Sequence, residues 1–166
     1  PRSTSVRYTD LFRSNNKLGH CKDFLCVGGM GHASQIATGI AMNQPKRPIY
    51  CFDGDGSSLM HMGSMAISGT KDLPNFIHIV FDNGCHESVG GQPTVGFNVN
   101  LTDIAKASNY DYVISVENTQ DFKKYFEDAM VSKGSVFFEI KIKPSHRPDL
   151  GRPSTSPEDN KSAMMK

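Results

Sequence analysis

Between Asn75 and Asn83 the chain reads NFIHIVFDN, an almost unbroken apolar run of strand length. A strand of that kind is covered on both faces, and such strands belong to parallel sheets flanked by helices. The surrounding sequence supplies the rest of that pattern. DFLCV (23–27) predicts a short strand stopped by Gly28 and Gly29, and HASQIATGIAMN (32–43) predicts a helix. Ala33, Ala37 and Ala41 would let that helix lie close to a sheet, with Asn43 and Pro45 ending it. RPIYCF (47–52) is the next strand, and a helix is expected over 61–70. Further along come a glycine-rich loop over 84–98, a short helix over 101–109 and a strand over 112–115. A helix capped by Thr119 and closed by Gly134 follows, then the strand SVFFEIKIK (135–143). In that last strand Glu139, Lys141 and Lys143 share one face, which is expected to meet water.

Strands alternating with helices imply right-handed crossovers. The expected fold class is therefore α/β, an open parallel sheet with helices on both faces. The polar start, residues 1–22, reads as a linker or N-terminal edge, and 23–143 as the folded domain. The proline-rich stretch 144–166 reads as an extended tail.

In sheets of this kind ligands sit outside the carboxyl ends of the strands. Three unusual stretches fall there: Gly28 to Gly31, Asp53 to Ser58, and Asp82 to Gln92. In the second, DGDGSS puts acids and bare backbone straight after a buried strand. Glycines at Gly54 and Gly56 permit close backbone approach, and Ser57 and Ser58 add hydroxyls, a combination suited to phosphate. A carboxylate would repel phosphate unless a cation lay between them, so Asp55 points to Mg²⁺. Asn83, 28 residues later at the end of the neighbouring strand, offers an amide oxygen. Carbonyls at Gly84 and Cys85 follow it. On the DGDGSS stretch alone, an acidic turn whose Asp caps the next helix is equally open. A P-loop is excluded by the missing GK[ST], a dinucleotide fingerprint by Ser34, and an EF-hand by Ser58 and Ser64.

GDGSSLM followed by VFDNG resembles the motif of thiamine-diphosphate enzymes, which opens on GDG and closes on Asn. VGGMGHASQIATGIA is similar to that family's pyrimidine-side segment. With DNGCHESVGGQPTV and DLGRPSTSPEDNK, the resemblance narrows to the C-terminal part of the phosphonopyruvate decarboxylase family, with the sulfopyruvate decarboxylases as close relatives. It implies that Asp55, Asn83 and the Cys85 carbonyl hold Mg²⁺, making 23–143 a thiamine-diphosphate/Mg-binding domain. Gly56, Ser57 and Ser58 would meet the diphosphate, with Gly54, Asp55 and Asn83 also cofactor-binding, and Gly28, Gly29 and Met30 would lie on the pyrimidine side, with Met30 bending the cofactor. His86 and Glu87 are the candidate catalytic residues. The implied reaction is loss of CO₂ from 3-phosphonopyruvate, a small anionic 2-oxo acid.

The resemblance also implies a partner. The glutamate that activates the cofactor belongs to a pyrimidine-binding domain, upstream or on another subunit, in a homo- or hetero-oligomer, and this chain alone is expected to be inactive. Asp82 stands where the wider family usually has Asn. His32 reads as a local hydrogen-bond partner, His61 and His78 as structural, and Arg147 and Arg152 as solvated or phosphonate-binding. A formal net charge of +1 gives no bulk attraction for nucleic acid or membrane surfaces. Cys21, Cys26, Cys51 and Cys85 match no zinc spacing and read as free thiols of a cytoplasmic protein.

Overall fold

A computed structural model describes residues 4–8, 23–145 and 155–165. In chain order the strands are β1 (Thr4–Tyr8), β2 (Asp23–Cys26), β3 (Ile49–Gly54), β4 (Phe76–Asp82), β5 (Cys85–His86), β6 (Gln92–Pro93), β7 (Tyr112–Val116) and β8 (Val136–Lys141). The helices are α1 (Ala33–Asn43), α2 (Asp55–Met60), α3 (Gly63–Gly69), α4 (Leu101–Ala107), α5 (Thr119–Met130) and α6 (Pro157–Met164). Six strands form one sheet in the order β2-β1-β3-β4-β8-β7, every pair parallel. The expected open parallel α/β sheet is what the chain builds.

Its two faces carry separate apolar layers. On one, Ala33, Ala37 and Ala41 of α1, Met65 of α3, and Leu101 and Ala105 of α4 pack on Ile49, Cys51, Phe76, Val80 and Phe137. On the other, Phe122, Tyr125, Phe126, Ala129 and Met130 of α5 cover Ile77, Ile79, Val136 and Phe138. Phe76, Phe137 and Phe138 are fully buried; burying each stabilises the fold by about 1.5–3 kcal/mol. The alanines of α1 have the predicted consequence, because all three are fully buried and bring the helix onto the strands.

Five expectations need correction. Residues 4–8 are a strand, not linker; β1 lies between β2 and β3. The tail is not wholly extended, since α6 forms at Pro157 behind a capping box of Ser156 and Asp159. Helix α6 packs on edge strand β2, where the Asn160 amide donates to Leu25 O at 3.4 Å. Helical structure after β3 begins at Asp55, not at His61. The cap of α5 is Asn118, whose side chain accepts from the Asp121 N–H at 2.9 Å. Glu139 also departs from expectation: it is buried rather than facing water. Cys21, Arg147 and Arg152 lie outside the described residues.

Candidate cofactor site

The three unusual stretches meet at the carboxyl edge of the sheet. After β2 the backbone turns through Gly28 and Gly31, with φ of +73° and +83°. L-residues with side chains rarely adopt such angles, which explains glycine at both places. The Gly31 N–H donates to the Ser57 hydroxyl at 2.9 Å, tying this turn to the first turn of α2. His61 covers Gly31 so closely that a Cβ there would fall 2.4 Å from its ring. His32 stacks on His61 with ring centroids 4.2 Å apart. Gly28 is exposed, and Gly29 and Met30 are half-buried.

Sequence reading assigned Ser57 to the diphosphate. In the structure its oxygen accepts the Gly31 N–H. Ser58 is buried, and its hydroxyl has no hydrogen-bond partner.

The third stretch closes over the second. Gly84 (φ +67°) turns the chain after β4, and β5 and β6 then pair as a short antiparallel hairpin. The hairpin returns Thr94 to the Gly84 carbonyl, which accepts the Thr94 N–H at 2.9 Å. Thr94 Oγ1 donates to Asp55 Oδ2. Gly96 fits between acids: a Cβ there would lie 2.5 Å from Asp82 Oδ1 and 2.6 Å from Asp55 Oδ2. Thr94 and Gly96 were missed as site residues, although GGQPT had marked this segment. Their contact with Asp55 spans about forty residues of sequence, and no local periodicity reveals it.

Asn83 Oδ1 accepts the Cys85 N–H at 3.1 Å, and its amide donates to Glu87 Oε2 at 3.0 Å. Its oxygen therefore faces the Cys85 backbone, and Glu87 braces the residue expected to bind metal. His86 lies over Gly56, where an added Cβ would sit 2.6 Å from its Nδ1. Burial raises the Cys85 thiol, and the charges of Glu87 and Asp55 raise it further. That keeps the sulfur protonated and leaves the carbonyl as the ligand this residue can offer.

Asp55 and Asp82 are both buried. Burial, then the charge of Asp55, pushes the Asp82 carboxyl up to about 6; the Gly84 N–H, donating to its Oδ1 at 3.1 Å, pulls it down. Its Oδ2 has no hydrogen-bond partner. A buried acid held beside the charge of a second buried acid makes a site that gains from a cation.

A family model described as "Thiamine pyrophosphate enzyme, C-terminal TPP binding domain" matches residues 4–140. The chain belongs to that family. The domain is 37% identical over 136 residues to phosphonopyruvate decarboxylase of Streptomyces viridochromogenes, covering 82% of this chain and 34% of the relative. It is 39% identical over 110 residues to sulfopyruvate decarboxylase subunit beta of Methanocaldococcus jannaschii, covering 66% of this chain and 57% of that one. Benzoylformate decarboxylase from Polynucleobacter necessarius shares the fold, with a TM-score of 0.73 at 20% identity over 89% of this chain and 31% of that one. The domain thus spans about a third of the length of the phosphonopyruvate decarboxylase it matches.

The residues present suit the cofactor. Asp55, Asn83 and the Cys85 carbonyl are hard oxygen donors of the kind Mg²⁺ takes together with phosphate oxygens. Asp82 Oδ2 and Ser58 Oγ are buried polar atoms with no partner. Gly56 keeps its backbone bare beneath His86. No helix of the described residues is long and apolar enough to cross a membrane.

Proposed function

We propose that this domain is the diphosphate- and Mg²⁺-anchoring part of a thiamine-diphosphate-dependent carboxy-lyase. Its substrate is 3-phosphonopyruvate, its products are phosphonoacetaldehyde and CO₂, and its setting is phosphonate biosynthesis in the cytoplasm. The observation that carries this reading is the closure of Thr94 and Gly96 onto Asp55, beside Asp82 and Asn83. It brings the hairpin containing His86 and Glu87 to the anchor. The Streptomyces relative supports the choice of substrate.

Asp55, Asn83 and the Cys85 carbonyl hold the metal. Gly54, Gly56 and the Ser57 and Ser58 hydroxyls serve the diphosphate. The turn Gly28–Gly29–Met30 receives the pyrimidine end. When bound, thiamine diphosphate supplies the electron sink that a 2-oxo acid needs to lose CO₂. The chain's own residues orient and protonate. His86, fixed above Gly56, can donate to the phosphonate or carry a proton. Glu87, held by the Asn83 amide, can accept one. The activating glutamate comes from a pyrimidine-binding domain or subunit, so the working unit is an oligomer and the isolated chain is inactive.

A second reading is sulfopyruvate decarboxylase, favoured by the beta-subunit relative, of which this chain covers over half. A cofactor-binding subunit without catalysis is a third. The deciding experiment assembles the chain with its pyrimidine-binding half, adds thiamine diphosphate and Mg²⁺, and measures CO₂ release from both acids. Faster turnover of 3-phosphonopyruvate, abolished by Asp55→Ala, is expected. Preference for sulfopyruvate selects the second reading, and no turnover of either acid selects the third.

A further inference from the structure

Beneath the anchor lies a line of polar side chains inside the apolar core. Asp53, at the end of β3, is buried, and neither carboxylate oxygen has a hydrogen-bond partner. His78 of β4 faces it, with Nε2 3.5 Å from Asp53 Oδ2, an ion-pair contact in which Nε2 too has no hydrogen-bond partner. His78 Nδ1 lies 3.1 Å from the Tyr110 hydroxyl. Ser68 of α3 faces Tyr110 and offsets part of the rise that burial gives its phenol. The Ser68 hydroxyl meets Thr38 Oγ1 of α1 at 2.6 Å, and Thr38 donates to Ser34 O at 2.8 Å. A parallel link joins the hydroxyls of Ser34 and Ser64 at 2.9 Å.

Each of these groups costs free energy when it leaves water. His78 lies among the rings of Phe76, Tyr110 and Phe137, a place in β4 that an apolar side chain ordinarily fills. The line has a consistent route instead. It starts two residues before Asp55 and ends in α1, the helix that follows the Gly28–Gly31 turn. It therefore links both halves of the cofactor cradle through the core. Asp53 enters that line only by its 3.5 Å contact with His78, and the bonded groups beyond His78 fix one geometry where apolar contacts would tolerate several.

We propose that His78 is a positioning residue for cofactor capture, holding Asp53 and the Tyr110–Ser68–Thr38 line so that Asp55 and the Gly28–Gly31 turn stay in register. This rests on the reading of the 53–58 turn as the metal and diphosphate anchor. A loss of His78 then weakens capture of the cofactor without slowing the chemistry once the site is filled.

The test uses the complete enzyme, with Mn²⁺ in place of Mg²⁺ and thiamine diphosphate titrated. His78→Phe keeps the ring packing and is expected to raise the half-saturating cofactor concentration about tenfold or more. Its kcat at saturating cofactor stays within twofold of wild type. His78→Gln, which keeps a donor and an acceptor, restores capture to within about threefold of wild type. Tyr110→Phe removes one oxygen and weakens capture about threefold, which keeps the test open should His78→Phe not fold. Capture by a folded His78→Phe within twofold of wild type overturns the inference, as does a Gln variant no better than Phe. If His78→Phe does not fold, unchanged capture by Tyr110→Phe overturns it. Stoichiometric zinc in the wild type that is lost in the variants also overturns it, because Cys51, Asp53 and His78, whose ligand atoms lie within 4.8 Å of one another, would then be a metal centre. A wild type that fails to bind Mn²⁺ with thiamine diphosphate sinks the reading of the turn, and this inference with it.

Discussion

The Gly31 N–H donates to the Ser57 hydroxyl at 2.9 Å, joining two turns that lie 26 residues apart. The bond sets the spacing between the segment assigned to the pyrimidine end and the segment assigned to the diphosphate. Ser57→Ala leaves a buried N–H unpaired, at a cost of about 1–3 kcal/mol. The variant is expected to unfold a few degrees earlier and to need several-fold more cofactor for half-saturation. Thermal melts and a cofactor titration of the complete enzyme check both.

Gly96 gives a sharper steric prediction. A Cβ at that position meets two carboxylate oxygens at 2.5 and 2.6 Å, on buried side chains that have little room to retreat. Gly96→Ala is expected to displace Asp55 and to weaken Mn²⁺ binding tenfold or more, while the far-UV spectrum stays that of the wild type. Metal affinity unchanged by this substitution would show that Asp55 is not a ligand.

Asp82 predicts a pH dependence. Its carboxyl takes up a proton near pH 6 in the folded chain, against an ordinary value of 3.8. Between those values the native state holds more protons than the unfolded state, so stability falls as the pH rises through that window. In metal-free buffer the loss at neutral pH is about 3 kcal/mol. Asp82→Asn should flatten the dependence and raise the melting temperature at pH 7. Urea melts from pH 4 to pH 7.5 check the sign, and a wild-type curve that rises with pH would refute it.

Glu87 receives the Asn83 amide at 3.0 Å, which gives it two separable duties. Glu87→Gln can still accept that bond and should retain metal affinity within about threefold while turnover falls tenfold or more. Glu87→Ala should lose both. Equal turnover in the Gln variant and the wild type would leave Glu87 with the bracing duty alone.

Much of the candidate site could be proposed from the sequence because its markers are local. Asp55 and Asn83 each close a strand, and the strand-helix-strand length between them follows from α/β geometry. The alanine stripe of α1 and the apolar run of β4 likewise declare themselves through spacing. β1 escaped because TSVRY is polar for a strand inside a parallel sheet, and pattern reading gives such a segment to a linker. α6 carried a visible signal, Ser156 followed by Pro157 and Asp159, which four prolines in the tail obscured. The contacts of Thr94, Gly96 and His61 were not legible, since each acts through a residue some thirty to forty positions away.

The strand order has a practical consequence. β2 and the turn at Gly28 join the rest of the sheet through β1, so residues 4–8 behave like the slide of a zip fastener. Anyone trimming this chain for expression at Asp23, where the sequence first looks well ordered, would cut out the piece that fastens one wall of the cradle to the other.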